Sequence, residues 1–345
     1  MDRDDFIINV YCIVCDQYKT VTDAHPLRQR GFSPALTDEE ALTIDICGEY
    51  LGFDRDEAIY DYFRSHYAHF FPQLRGRTSY VRQAANLWQV KTAIQQRLTV
   101  ISGQADDPFQ LIDTMPLPVC VYTRAKRDHC LKPYADFGYC AAKDLHYYGF
   151  KLGLRISRDG MITHFSLLPA RPHDSQLVDD LLDGFQGVAI ADKGFLDAFH
   201  QEALAKQRAI ELITPLRKNM KSILPVRIRR LGQKWRKRIE TVGSHLTERF
   251  HIDNTRAQDL WHYQNRLIRK ILSHTVAVFI NMQLGRSPLD LDGLVTACQF
   301  AHATAPLICG NAAPLLLRDA PSKSRRLCSN TAPPICTNAA PLLTA

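Results

Sequence analysis

The sequence predicts an α/β fold: a mixed five-stranded sheet flanked by helices and preceded by an all-helical N-terminal domain. Three observations predict it. The first hundred residues place apolar side chains at helical spacing behind capping signals. From about residue 105 short strand-like runs alternate with helical stretches. An apolar content of 46% over 345 residues is enough to bury a sizeable core.

The N-terminal part supplies the helices. "TDEEALTIDICGEYLG" (37–52) opens on Thr37 with Glu40 three positions later, a capping box. "DRDEAIYDYFRSHYAHFF" (54–71) and "SYVRQAANLWQVKTAIQQRL" (79–98) follow, separated by Pro72 and Gly76. Arg75, Arg77, Arg82, Lys91 and Arg97 on these helices suit a DNA-binding face and suit a plain helical scaffold equally.

The sheet comes next. "QLIDTMPLPVCVY" (110–122) is strand-like. "YYGFKLGLRISRDGMITHFSLLPA" (147–170) reads as two strands joined at Arg158-Asp159-Gly160. "SQLVDDLLDGF" (175–185) is an amphipathic helix, "GVAIADKGF" (187–195) a strand, "FLDAFHQEALAKQ" (195–207) a helix and "AIELITPLR" (209–217) a strand. "ETVGSHLTERF" from Glu240 and "DLWHYQNRLIRKILSHTVAVFINMQLG" (259–285) return to helix. Such an order predicts a mixed sheet with helices on its faces. The division expected is a helical domain over 1–104, an α/β domain over 105–295 with a basic insertion at 206–238, and a low-complexity tail over 296–345. In that tail "APLICGNAAPLLL" (305–317) recurs as "APPICTNAAPLLT" (332–344), and its Ala/Pro-rich composition reads as a disordered appendage.

Charge and cysteines bound the function. No apolar run approaches the roughly 18 residues that span a bilayer, and the start lacks the basic-then-apolar order of a secretory signal. The expectation is a cytoplasmic protein without a membrane partner. Of ten cysteines only Cys12 and Cys15 have a zinc-like spacing, and no second pair completes a site. Net charge is +7. Twelve Lys or Arg against the single acid Glu211 fall between Lys206 and Arg238. Such a block marks a nucleic-acid surface or a solvated loop. Its candidate phosphate contacts are Arg217, Lys218, Arg229, Arg230, Lys234, Arg236, Lys237 and Arg238, with Lys193 nearby in "ADKGF".

Carboxylates at the ends of strands can hold Mg²⁺, which takes hard oxygen ligands and keeps several waters. Asp113 sits in the first strand, Asp192 ends a later one, and Glu240 starts a helix after the basic stretch. Spacing alone does not select these three among 36 acids, since Asp106, Asp107, Asp136, Asp174, Asp180 and Glu248 compete. Asp174 in "RPHD" reads as a helix cap. Trp235 and Trp261 read as packing residues that can also stack on bases.

Five blocks carry a resemblance: "LRQRGFSPALTDEEALTIDICGEYLG", "QLIDTMPLPVC", "ADKGF", "RIETVGSHLTERF" and "RLIRKILSHTVAVFINMQLG". In order and spacing they are similar to the insertion sequence 982 family of bacterial DDE transposases, from the N-terminus to about residue 295. The resemblance implies a ribonuclease-H-like catalytic domain in which Asp113, Asp192 and Glu240 bind two divalent ions, Mg²⁺ or Mn²⁺. It implies cleavage at the ends of a mobile element and transfer of those ends to target DNA, by an oligomer assembled on DNA. Glu248 is the rival for the third position, about 80° around an ideal helix from Glu240. Related families carry a Tyr, Arg, Glu, Lys pattern around that Glu. Arg236 fits the Arg place, whereas Gln233 and Thr247 stand in the Tyr and Lys places. A stand-alone nuclease on the same fold, and an inactive DNA-binding repressor of the element, are the alternative readings.

Overall fold

The computed structural model describes residues 1–24, 27, 33–128, 131–141, 143–192, 195, 198–214 and 226–295. The tail expected from residue 296, with its repeat, lies outside them.

Five helices open the chain: α1 (Arg3–Ala24), α2 (Asp38–Tyr50), α3 (Asp56–His66), α4 (Arg77–Asn86) and α5 (Trp88–Ile101). The capping box of α2 forms as expected. Glu40 N–H donates to Thr37 Oγ1 at 3.2 Å, and Thr37 N–H donates to Glu40 Oε2 at 2.8 Å. The run expected as a helix over 54–71 ends at His66. Beyond it Tyr67, Phe70 and Phe71 pack as a turn of aromatic rings. The single helix expected over 79–98 is broken at Leu87, which leaves helical geometry (φ −91°, ψ 10°). At the break the Ala84 carbonyl accepts from Leu87 N–H at 3.2 Å and from Lys91 Nζ at 2.9 Å.

Strands β1 (Phe109–Pro118), β2 (Asp136–Cys140), β3 (Leu145–Ser157) and β4 (Ile162–Pro169) follow. Then come α6 (Val178–Leu181), β5 (Gly187–Ala191), α7 (Ala198–Arg208) and β6 (Ile210–Ile213). The chain continues through α8 (Val226–Ser244), a π-turn at His245–Arg249 and α9 (Leu260–Gln283). Asp259 caps α9 by accepting from His262 N–H at 2.8 Å.

The sheet is mixed and curled. Its strand order is β2-β3-β1-β5-β6, with β4 also pairing with β3. β1 pairs antiparallel with β3 and parallel with β5, and β5 pairs parallel with β6. The hairpin turns where expected, with Gly160 at φ 88° and its N–H bonded to Ser157 O at 3.0 Å. Two expectations need correction. Among the described residues the sheet has six strands rather than five, because "DFGYC" pairs with the start of β3 as β2. Its exposed positions and central glycine give little strand signal. The basic stretch is not wholly a loop before a helix: residues 226–238 are helical, so Glu240 lies in the last turns of α8 instead of starting a helix.

The sheet separates two cores. One face, with Leu111, Leu117, Phe150, Leu152, Leu154 and Ile156, packs against the N-terminal helices, α8 and α9. The other, with Ile112, Ala189 and Ala191, packs against residues 177–185 and Leu204 of α7. α9 is inserted into the helical layer, so the N-terminal helices share one apolar core with α9. Among the described residues no helix is long and apolar enough to cross a membrane.

A network of charges ties that helical layer together at its centre. Lys91 of α5 ion-pairs with Asp45 of α2 and donates to Asn265 Oδ1 of α9 at 2.6 Å. Arg269 of α9 donates to Glu49 at 2.8 Å and pairs with Asp56, while Lys270 Nζ lies 3.0 Å from Glu49 Oε2. Arg266 completes the set, 2.6 Å from Asp56. Lys91, Asp45, Arg269 and Lys270 are fully buried. Lys91 is therefore not a DNA-facing residue, which corrects that possibility from the sequence. Against the upward push of burial, Arg269 and Arg266 hold the Asp56 carboxyl well below the usual range. Burial lowers Lys91 and Lys270 even beside their carboxylates.

A second buried polar group has no such compensation. Burial pushes His274 of α9 down to about 3, and neither ring nitrogen has a hydrogen-bond partner among the described residues. His245 of the π-turn stands 5.7 Å away, ring to ring.

Two stability measurements follow from these groups. Arg269→Met leaves Glu49 with Lys270 alone and Asp56 with Arg266 alone in the core, and urea unfolding should show a loss of about 3 kcal/mol; a loss below about 1 kcal/mol would mean the charges are not confined as described. His274 is neutral in both states above its unfolded pKa of about 6.5. Below that pH the unfolded chain takes up a proton that the folded chain refuses until about 3. Stability should thus fall on acidification through that window by about 1.4 kcal/mol per pH unit from this group. His274→Leu should remove that part of the slope, read as the difference between the two proteins' urea midpoints against pH.

Candidate active site

Strand register brings Asp113 and Asp192 together. β1 and β5 are parallel, and their last paired residues are Ile112 and Ala191. Asp113 and Asp192 are the next residue on each chain, and adjacent strands lie about 4.8 Å apart. Alternation decides the face. Leu111 and Ile190, two residues earlier, pack into the larger core, so both carboxylates emerge on the side that α8 covers. Gly187 seats β5 in this register. Its φ is 132°, a side chain there would put Cβ 2.5 Å from Pro108 O, and Val188 N–H donates to that same oxygen at 2.8 Å.

α8 lays its apolar edge on the sheet. Ile239 and Val242 are buried, and the Trp235 ring lies 5.4 Å from Phe109, which shares a face with Leu111 and Asp113. Trp235 is thus partly buried packing, as read from the sequence. Trp261, by contrast, is exposed at the start of α9 and meets Trp88 edge-on at 5.7 Å. Arg238 donates to the Arg158 carbonyl and lies 3.6 Å from Asp159, pinning α8 to the hairpin turn. Arg236 and Glu240, one turn apart, then face the strand ends. Arg236 Nη2 is 3.1 Å from Asp192 Oδ1, and its Nε is 3.6 Å from Glu240 Oε1.

The Arg236 guanidinium therefore bridges two carboxylates from different elements. Among the described residues Asp192 Oδ1 is enclosed and has no hydrogen-bond donor; the guanidinium approaches it as an ion pair out of line for a hydrogen bond. Burial pushes the Asp113 carboxyl up to about 6. The Thr114 N–H, donating at 2.8 Å, works against that push, Asp192 adds to it, and Arg236 offsets it further. Asp174, expected as a helix cap, opens the 3₁₀ turn Asp174–Leu177, and its carboxylate pairs with Lys151 of β3 at 2.7 Å. Lys151 also donates to Pro172 O. The Asp174 charge reaches Asp113 as well.

The other candidates are dispersed. Glu248 is exposed in the π-turn beyond α8, where its charge acts on His245. Lys237 is exposed on α8. Arg229, Arg230 and Lys234 belong to the α8 backbone span, but their side chains lie outside the description, and Lys193, Arg217 and Lys218 lie outside the described residues altogether.

No group of three or more His, Cys, Asp or Glu side chains among the described residues gathers around one point as a metal cage. The donor chemistry still fits a hard divalent ion. The oxygens of Asp113, Asp192 and Glu240 are brought to one face, and among the described residues Asp192 Oδ1 lacks a donor. A hydrated Mg²⁺ needs only one or two carboxylates from the protein. Sequence reasoning missed two features. The Arg236–Glu240 contact carried a signal, the i,i+4 spacing. The Lys151–Asp174 pair carried none, because its partners are far apart in sequence, on either side of a hairpin.

No curated protein and no solved structure matches this chain. Residues 103–260, the span that carries Asp113, Asp192 and Glu240, match the family model described as a transposase DDE domain, and that match supports an enzyme of the DDE transposase type.

Proposed function

We propose that the chain is a transposase of the insertion sequence 982 type, which binds the ends of its element and catalyses their metal-dependent cleavage and strand transfer. The observation that carries this reading is the convergence of Asp192 and Glu240 on one guanidinium, with Asp113 one strand away. The strand order β4-β3-β1-β5-β6, with β3 antiparallel to β1 and with β5 and β6 parallel to it, supports a ribonuclease-H-like sheet to which β2 is an addition. The pairing of Glu240 with Arg236, and the position of Glu248 in the π-turn, support Glu240 as the third acid.

Asp113, Asp192 and Glu240 would hold Mg²⁺ or Mn²⁺, which when bound supplies activation of the attacking oxygen and stabilisation of the leaving one. The protein's own contribution is positioning. The β1–β5 register fixes two carboxylates on one face, and α8 delivers the third with basic side chains beside it. Residues 1–104 would act as the helical DNA-binding part, residues 105–295 as the catalytic part, and the tail from 296 as an appendage. The helical part offers a suitable surface: no acid occurs between Asp61 and Asp106, and Arg75 and Arg82 line an open groove of about 430 Å³ beside Pro34–Leu36. Phosphate contacts there and along α8 would make DNA binding strongly salt-dependent. Two DNA ends must be held at once, which calls for an assembly of copies on DNA, in the cytoplasm.

The test uses duplexes taken from the DNA flanking the gene, a supercoiled plasmid as target, and Mn²⁺. The wild-type chain should yield cleaved ends and joined products. Asp192→Ala should lower both by more than the roughly 10- to 100-fold that an outer-shell change costs, with DNA binding retained. Cleavage without any joined product would replace this reading with a stand-alone nuclease, and binding without cleavage would replace it with a repressor.

A further inference from the structure

We propose that Arg236 is the internal counter-ion of the three-carboxylate site, and that its guanidinium and a divalent cation exclude one another there. The inference rests on reading Asp113, Asp192 and Glu240 as the cation site. Arg236 lies between the Asp192 and Glu240 carboxylates, at 3.1 and 3.6 Å, and its charge also reaches Asp113. No other basic side chain among the described residues contacts these acids. A cation bound by the same oxygens would place a second positive centre against the guanidinium, so one of the two must leave.

Arg236 is free to be the one that leaves. Its side chain is 51% exposed, and its partners Asp192 and Glu240 are 45% and 64% exposed, so the ion pairs are screened and weak. The apolar anchors of α8 are its neighbours Trp235 and Ile239, which do not depend on where the guanidinium points. Once displaced, a planar fork with five donors sits beside the loaded site, suited to a phosphate of the DNA. Metal loading and phosphate capture are thereby coupled through one side chain. A purely structural role for Arg236, as a strap that holds Glu240 towards Asp192, predicts the opposite sign: its removal would weaken cation binding.

Mn²⁺ binding to the DNA-free full-length chain, followed by the electron paramagnetic resonance signal of free Mn²⁺, separates the two. Arg236→Gln should bind Mn²⁺ about three- to tenfold more tightly than the wild type, the scale of losing two exposed ion pairs. Lys237→Gln removes an equal charge from the neighbouring exposed position and should change affinity by less than about twofold. If Arg236→Gln binds Mn²⁺ no more tightly than the wild type, or Lys237→Gln tightens it equally, the inference is wrong. Asp192→Ala distinguishes this failure from a deeper one. If it abolishes Mn²⁺ binding while Arg236→Gln shows no gain, only the role of Arg236 falls. If it leaves Mn²⁺ binding intact, the cation is elsewhere, and both the site assignment and this inference fall.

Discussion

The parallel pairing of β1 with β5 is the constraint on which the candidate site depends. Four residue pairs, from Phe109–Val188 to Ile112–Ala191, set where each strand ends. A slip of one residue would turn Asp192 to the opposite face, towards α6 and α7, and separate it from Asp113. Gly187 protects this register, because any side chain at that position would strike the Pro108 carbonyl that starts the pairing. The placement of α8 is a second condition, and it is met by packing. Ile239 and Val242 lie in the core, Trp235 lies on Phe109, and Arg238 holds the hairpin turn. Glu240 arrives at the site because its neighbours are apolar or tied down.

Much of the fold was legible because it rests on local signals. Thr37 and Glu40 announce a helix start by a reciprocal bond spanning three residues. The Arg158–Gly160 turn sits between two runs rich in β-branched and aromatic residues. What escaped depends on distant partners. Leu87 breaks a helix whose periodicity continues across it, and the Ala84 carbonyl at the break takes a second bond from Lys91 in the buried network. β2 is a strand because β3 is long enough to offer it an edge, and the five residues themselves do not announce it. The helical character of 226–238 was obscured by its charges, which read as a solvated loop.

The site was legible to a different extent. Asp113 and Asp192 were visible as carboxylates at strand positions, but their adjacency is a property of sheet order, which no short window contains. The link between Arg236 and Glu240 follows from helical spacing once the helix is known to include both. The electrostatic state of Asp113, raised by burial and by the facing carboxylate, belongs to the assembled site alone.

The buried ion network has a consequence for how such a chain can change over time. Its positive members on α9, Arg269 and Lys270, answer acids more than two hundred positions earlier, Glu49 and Asp56. The N-terminal helices and α9 are therefore locked as a matched set across the sheet that lies between them in sequence. An exchange of the helical part between relatives would be tolerated only if α9 travelled with it, or if the incoming helices brought the same acids in the same places. One face of the sheet is covered by a clasp whose halves must be inherited together, while α6 and α7, on the far face, take no part in it.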